Sequence, residues 1–259
     1  MYADLKMELD SPILTFQQSS NLQGVIMENI QTEYAERLHE NRLNPYSQCL
    51  VKENGKLVWH IKTLTEEAYE NIILPMAKLN ELNIKKKQLL APIKRKNVEL
   101  YDESNLIKEF YDKKCERYLE VNFLTPTAFK RDGKYMIYPD LQLIYGSLMR
   151  KYSELSAELN MIDEDTLTEL TEKSEIRRYR LQTVAFPLEK VQITGFVGSI
   201  CIHMGGTDTL AKYARMLLKF GEFSGIGIKT GIGMGAIKYG RREKDERSES
   251  KTWYRSTFT

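Results

Sequence analysis

The chain has 259 residues, 42% hydrophobic and 29% charged, with a net charge of +2. That balance excludes a disordered chain, and the lack of an apolar run of spanning length excludes a helical membrane protein. Cys49, Cys115 and Cys201 form neither a CxxC pair nor a zinc set, and the opening MYADLKMELD carries charge where a leader needs an apolar run; reduced packing cysteines in a cytoplasmic protein are expected.

Residues 2–9 alternate apolar and polar and predict a half-buried strand. Ser19, Ser20 and Asn21 are cap candidates for one helix in which Leu22, Val25, Ile26, Ile30, Tyr34 and Leu38 recur at helical spacing, stopped before Pro45. Residues 47–52 and 56–62, separated by Glu53-Asn54-Gly55, predict a hairpin. Residues 65–80 predict a helix kinked or broken near Pro75, and residues 84–100 a strand in which Pro92 is out of place. Strand, helix, strand, strand, helix, strand is the ferredoxin-like order.

The second half repeats that order without repeating residues. A strand is predicted over 117–124, then a helix over 141–159 with Leu141, Ile144, Tyr145, Leu148, Met149 and Tyr152 on one face. Strands over 176–186 and 191–204 turn through Pro187-Leu188-Glu189-Lys190, and residues 161–173 read as a helical insertion. A helix over 209–220, capped by Thr207 or Asp208 and ended by Gly221, precedes a last strand over 232–239. The expected fold is α+β, two tandem ferredoxin-like domains covering residues 1–110 and 111–259.

Charge is uneven along the chain. Lys85, Lys86, Lys87, Lys94, Arg95 and Lys96 fall in a run without acids, and the tail holds Lys238, Arg241, Arg242, Lys244, Arg247, Lys251 and Arg255 against four acids. Such runs read as solvated surface or as tracks for a phosphate backbone.

The most specific feature is GEFSGIGIKTGIGMGAIKYG, residues 221–240. Glycine is costly to order, about 0.5–1 kcal/mol against alanine, so this density implies unusual backbone angles or close approach to something. Gly225, Gly227, Gly231, Gly233 and Gly235 are expected to open their N–H groups to a polynucleotide, with Lys229 and Thr230 adding a cation and a hydroxyl. The segment lies between a helix and a strand, the reverse of the order needed for a Walker loop or a dinucleotide fingerprint. A packing role for a tight helix-to-strand connection is the competing reading.

The pattern Gly-apolar-Gly, five residues, Gly-apolar-Gly, after Leu217-Leu218-Lys219-Phe220-Gly221-Glu222-Phe223, resembles the C-terminal signature of the CRISPR repeat-processing endoribonucleases, members of the superfamily of repeat-associated mysterious proteins. Leu22-Gln23-Gly24, Leu38-His39-Glu40, Pro45-Tyr46-Ser47-Gln48, Phe123-Leu124-Thr125-Pro126-Thr127-Ala128-Phe129 and Gly195-Phe196-Val197-Gly198 agree in chain order. The resemblance implies two ferredoxin-like folds, cleavage of CRISPR repeat RNA in a prokaryotic cytoplasm, and delivery of the guide to an effector complex by a monomer or homodimer.

RNA can be cut by its own 2′-hydroxyl, leaving 2′,3′-cyclic phosphate and 5′-hydroxyl ends, with no metal or other cofactor. Histidine suits the proton steps. His60 and His203 lie in strands and read as structural, whereas His39 ends the first helix, where a cation also suits the dipole. The resemblance places the active-site histidine there, so His39 is the candidate general acid or base. The family's first-helix tyrosine falls on Met27; Tyr34 is one candidate for its role but lies on the apolar face, Tyr46 is better placed, and Arg42 stands where a loop lysine is usual. Lys130 and Arg131 are further RNA-binding candidates. The alternative is a non-catalytic repeat-RNA-binding subunit.

Overall fold

The computed structural model describes residues 1–11, 13–41, 43–112, 115–155, 162–188 and 191–241. β1 (Tyr2–Leu9) buries Ala3, Leu5, Met7 and Leu9 on one face and turns Asp4, Lys6 and Glu8 to the other. It pairs antiparallel with β3 (Lys56–Thr63) and β5 (Leu89–Tyr101). β2 (Tyr46–Glu53) joins β3 through Asn54-Gly55, whose φ angles of 49° and 75° are those a tight hairpin turn requires. β4 (Glu81–Ile84) adds an edge, and the order β2-β3-β1-β5-β4 is ferredoxin-like with one extra strand. Pro92 is accommodated opposite Glu81, beside a register shift between Glu8 and Leu9.

The single first helix expected from the periodicity is two. α1 (Ser19–Asn29) and α2 (Thr32–Glu40) are separated by extended backbone at Ile30, with φ −108° and ψ 167°. Ile30 stays buried, so the apolar period runs straight through the break. The cap position of α1 is Gln18 rather than Ser19, Ser20 or Asn21, and Asn29 Nδ2 donates to the Val25 carbonyl at the other end.

Residues 65–80 hold their predicted helix, with Thr65 Oγ1 accepting from the Ala68 N–H. Its parts are α3 (Glu66–Ala68), a π turn (Tyr69–Ile73) and α4 (Leu74–Lys78). The wide turn ends just before Pro75, whose ring forbids the ordinary bond to the carbonyl four residues back.

α5 (Ser104–Asp112) leads into the second sheet. β6 (Tyr118–Thr127), β10 (Gln192–Met204), β9 (Ser174–Pro187) and β11 (Ile237–Tyr239) take the order β11-β6-β10-β9, the ferredoxin arrangement again. A small hairpin of β7 (Phe129–Arg131) and β8 (Lys134–Met136) follows β6 and was not legible as strand. α6 (Leu141–Leu155) and α7 (Glu164–Glu172) come next in the chain, α7 within the expected insertion. α8 (Asp208–Ser224) is capped by Thr207 and runs past the expected stop at Gly221. Gly221 sits inside it at a tight contact, where a Cβ would lie 3.0 Å from both Ile237 Cδ1 and Leu148 Cδ2. Ile232 belongs to a 3-10 turn (Thr230–Ile232), so the last strand is shorter than predicted. Residues 156–161, 189–190 and the basic tail from Arg242 lie outside the described residues.

Two apolar cores result. Leu5, Met7, Leu22, Ile26, Trp59 and Ile72 build the first; Phe123, Tyr145, Leu148, Ile200 and Leu217 build the second. Each full burial contributes roughly 1.5–3 kcal/mol. Phe186, Ile193, Val197 and Met234 from the second half enter the first core, and Tyr2 and Leu64 enter the second. The two sheets are thereby locked together. No helix among the described residues is long and apolar enough to cross a membrane.

Candidate functional site

After α8 the chain turns back on itself. The Ile226 N–H donates to Gly235 O and the Gly235 N–H to Pro126 O, which closes the glycine segment onto the end of β6. Gly227 has φ 77°, and a Cβ there would lie 2.3 Å from Ala128 O. Gly233 has φ 109°, and its Cβ would lie 2.3 Å from Ser19 Cβ. These contacts need glycine for space as well as for backbone angle.

The expectation that the glycines open their N–H groups to a ligand is corrected at four positions. The N–H groups of Gly225, Gly227, Gly233 and Gly235 bond to Gly221 O, Ser147 Oγ, Thr230 O and Pro126 O respectively. Gly225, Gly233 and Gly235 are buried, so these glycines pack the loop. Thr230 is half-buried, and its hydroxyl accepts from Lys151. Gly231 is buried as well, whereas Lys229 is exposed; both border an open groove of about 700 Å³.

The same groove is lined by His39 at the end of α2, by Ser20, Asn21, Gln23, Gly24 and Met27 along α1, and by Lys86. His39 is exposed, although Leu38 before it is buried. Helical spacing sends Tyr34 and Leu38 into the core and leaves the next residue at the helix end facing out. Gly24 offers open space, since a Cβ there meets nothing within 4 Å. The groove thus joins an imidazole, two ammonium groups and an unobstructed helix flank, a set that suits a phosphodiester.

The other candidates fare differently. Tyr46 is 1% exposed and packs behind Gly231, with its hydroxyl accepting from Gln23 Nε2 at 3.5 Å. Burial, partly offset by that hydrogen bond, pushes its pKa up to about 12. The expected catalytic phenol is therefore a core residue, because β2 turns it inward. Arg42 lies outside the described residues. Lys130 is exposed and Arg131 pairs with Asp140 at 3.2 Å, both on the β7–β8 hairpin, whose root is tied to the loop by the Ile228 N–H to Ala128 O bond. In the central basic run, Lys85 pairs with Glu28 and Lys94 with Asp10, and Lys96 bonds the Ala77 and Leu79 carbonyls at the end of α4.

Two buried polar centres were not foreseen. His60, read as structural, lies between Asp4 and Glu53, with Nδ1 3.0 Å from Asp4 Oδ2 and Nε2 3.2 Å from Glu53 Oε1. The first contact is a hydrogen bond; the second is an ion-pair approach without hydrogen-bond geometry. They line a cavity of about 360 Å³ between the two sheets, together with Lys62, Glu222 and Lys238. The Lys62 ammonium donates to Glu222 O at 2.7 Å and Ser47 Oγ donates to Phe223 O, so this cavity is part of the seam between the units. The second centre is Lys151, under the glycine loop. No signal in a single sequence separates these residues from ordinary surface charges. Among the described residues, no three of His, Cys, Asp and Glu converge to hold a metal ion.

The family model described as CRISPR-associated endoribonuclease Cas6 matches residues 121–237. A CRISPR-associated endoribonuclease Cas6 from Streptococcus thermophilus is 33% identical over 220 residues, 85% of this chain and 90% of the relative. One from Mycobacterium tuberculosis (strain CDC 1551 / Oshkosh) is 34% identical over 240 residues, 90% of this chain and 76% of the relative. A solved Cas6 product complex superposes with a TM-score of 0.78 at 22% identity, covering 93% of this chain and 99% of that one, which places both ferredoxin-like units in a shared fold.

Proposed function

The chain belongs to the Cas6 family of CRISPR-associated endoribonucleases, and from that premise we propose that it cuts CRISPR repeat RNA in the groove beside His39. It is an endoribonuclease, and its product is the guide RNA of a CRISPR system. The 2′-hydroxyl oxygen attacks the adjacent phosphorus as its proton is removed. The P–O5′ bond breaks, the 5′-oxygen takes up a proton, and a 2′,3′-cyclic phosphate remains. His39 serves one of the two proton steps as general acid or base. Lys229 and the loop backbone at Gly231 face the phosphate as charge builds on its oxygens. Lys130 and Arg131 extend the contact along the RNA backbone, and no metal or cofactor takes part. Residues 1–110 carry the histidine and residues 111–259 the glycine loop. The protein acts in a prokaryotic cytoplasm as a monomer or homodimer and passes its product to an effector complex.

One observation carries this reading: His39 is an exposed helix-end histidine in the same groove as the tip of the glycine loop. The test is single-turnover cleavage of the repeat in EDTA by the unmodified protein and by His39→Ala. Loss of cleavage with retained RNA binding is expected. Equal cleavage removes His39 from the mechanism, and an inert unmodified protein favours a repeat-binding subunit.

A further inference from the structure

Lysine is almost never fully buried without a partner. Lys151, on α6, is 4% exposed, and its Nζ donates to Ser224 O at 3.1 Å, Gly225 O at 2.9 Å and Thr230 Oγ1 at 3.4 Å. The three acceptors belong to one stretch, the end of α8 and the glycine loop. Carbonyls at a helix C-terminus are left without intrahelical partners and carry the negative end of its dipole, so they accept well from an amine. One turn earlier on α6, Ser147 Oγ accepts from the Gly227 N–H at 3.0 Å. Residues four apart share a helix face, so α6 grips the loop with a donor and an acceptor side by side. From the other side, a Cβ on Gly231 would lie 3.3 Å from Asn44 Nδ2 and Tyr46 Oη. The loop is thus held by α6 at Gly225, Gly227 and Thr230 and by Tyr46 of the first sheet at Gly231, and Lys229 opens onto the His39 groove.

We propose that Lys151 is the positioning residue of this site: it fixes the glycine-loop tip, with Lys229 and Gly231, at its station across the groove from His39, and touches no RNA itself. The assignment rests on reading that groove as the cleavage site. Burial alone pulls the Lys151 pKa down to about 7, so burial disfavours the charge, and the three hydrogen bonds hold the amine in place. A methionine would fill the same space without the three hydrogen bonds.

The experiment measures RNA binding and the single-turnover rate at saturating protein separately, for Lys151→Met, Thr230→Val, the double variant and His39→Ala. For Lys151→Met the rate falls roughly 10- to 100-fold while Kd moves less than about threefold, as for a reacting group misplaced by an ångström. An unchanged rate, or a loss confined to binding, overturns the assignment. Thr230→Val removes one acceptor without a buried charge; it lowers the rate in the same direction, and the double variant loses less than the product of the two. Independent losses overturn the proposal. Where Lys151→Met does not fold, Thr230→Val decides alone: a lowered rate supports the role and an unmodified rate ends it. Full cleavage by His39→Ala shows that the groove reading has failed and removes the Lys151 role with it. An inert His39→Ala beside a fully active Lys151→Met sinks the Lys151 assignment only.

Discussion

Tyr46 and Gly231 are packed against each other behind the groove: a Cβ on the glycine would stand 3.3 Å from the phenol oxygen. The ring is 1% exposed, so its work is support. Tyr46→Phe keeps the ring and drops one long hydrogen bond. Its cleavage rate is expected within about threefold of the unmodified protein and its stability within about 1 kcal/mol. Single-turnover assays and urea unfolding check this, and a hundredfold-scale rate loss would return the phenol to the chemistry.

Two glycines separate packing from access. Gly233→Ala forces a Cβ to 2.3 Å from Ser19 Cβ at φ 109°, and overpacking plus backbone strain should destabilise the fold by about 2–4 kcal/mol. Gly24→Ala meets nothing within 4 Å on α1 and should stabilise by about 0.5–1 kcal/mol. Gly24 also lines the groove, so the same alanine should weaken repeat binding. Denaturant midpoints and binding isotherms of both variants test the contrast, which fails if the two move stability the same way.

The Asp4–His60 pair makes stability depend on pH. Burial lowers the His60 pKa, but the hydrogen bond to Asp4 and the close Glu53 carboxylate together leave it raised above 6.5. Burial raises the Asp4 pKa, but the hydrogen bond and charge of His60, with Lys62 and Lys6, leave it lowered below 3.8. The histidine's contribution is complete below 6.5 and is lost as pH rises through the folded value. The aspartate's contribution is present above 3.8 and is lost as pH falls through its folded value. Removing one partner, as in Asp4→Ala, should cost about 3–5 kcal/mol near neutrality. Unfolding curves across pH check both limbs; equal stability of wild type and Asp4→Ala at neutral pH contradicts the pairing.

A substrate with one deoxynucleotide immediately 5′ of the cut should bind normally and resist cleavage, because the attacking hydroxyl is missing. Mapping of product ends on the all-ribose repeat should find a cyclic phosphate. Normal cutting of the deoxy substrate means that water is the nucleophile.

Lys229 is exposed at the loop tip and should contact phosphate. Lys229→Ala is expected to lower the slope of log affinity against log salt by about 0.7–1. A weakened affinity with an unchanged slope would place this ammonium away from the RNA backbone.

Much of the fold was legible because apolar periodicity is a local property. The alternation of β1, the Asn54-Gly55 turn and the amphipathic face of α6 each follow from a few consecutive residues, and the two ferredoxin-like orders follow from their succession. The break at Ile30 was not legible, because a buried isoleucine satisfies the period in either geometry. Gly221 read as a helix stop because glycine usually ends helices, whereas here it clears room for Leu148 and Ile237.

The candidate site divides in the same way. The sequence alone determined that His39 ends a helix and that a glycine-dense stretch lies between the last helix and the last strand, since both are matters of order along the chain. Only the tertiary structure decided that this stretch spends most of its N–H groups inside the protein, that Tyr46 faces the core, and that Lys151 lies under the loop. The reason is physical: the spacing of residues says which face of an element is apolar, but whether a polar group on the other face meets water or a distant carbonyl depends on what folds over it.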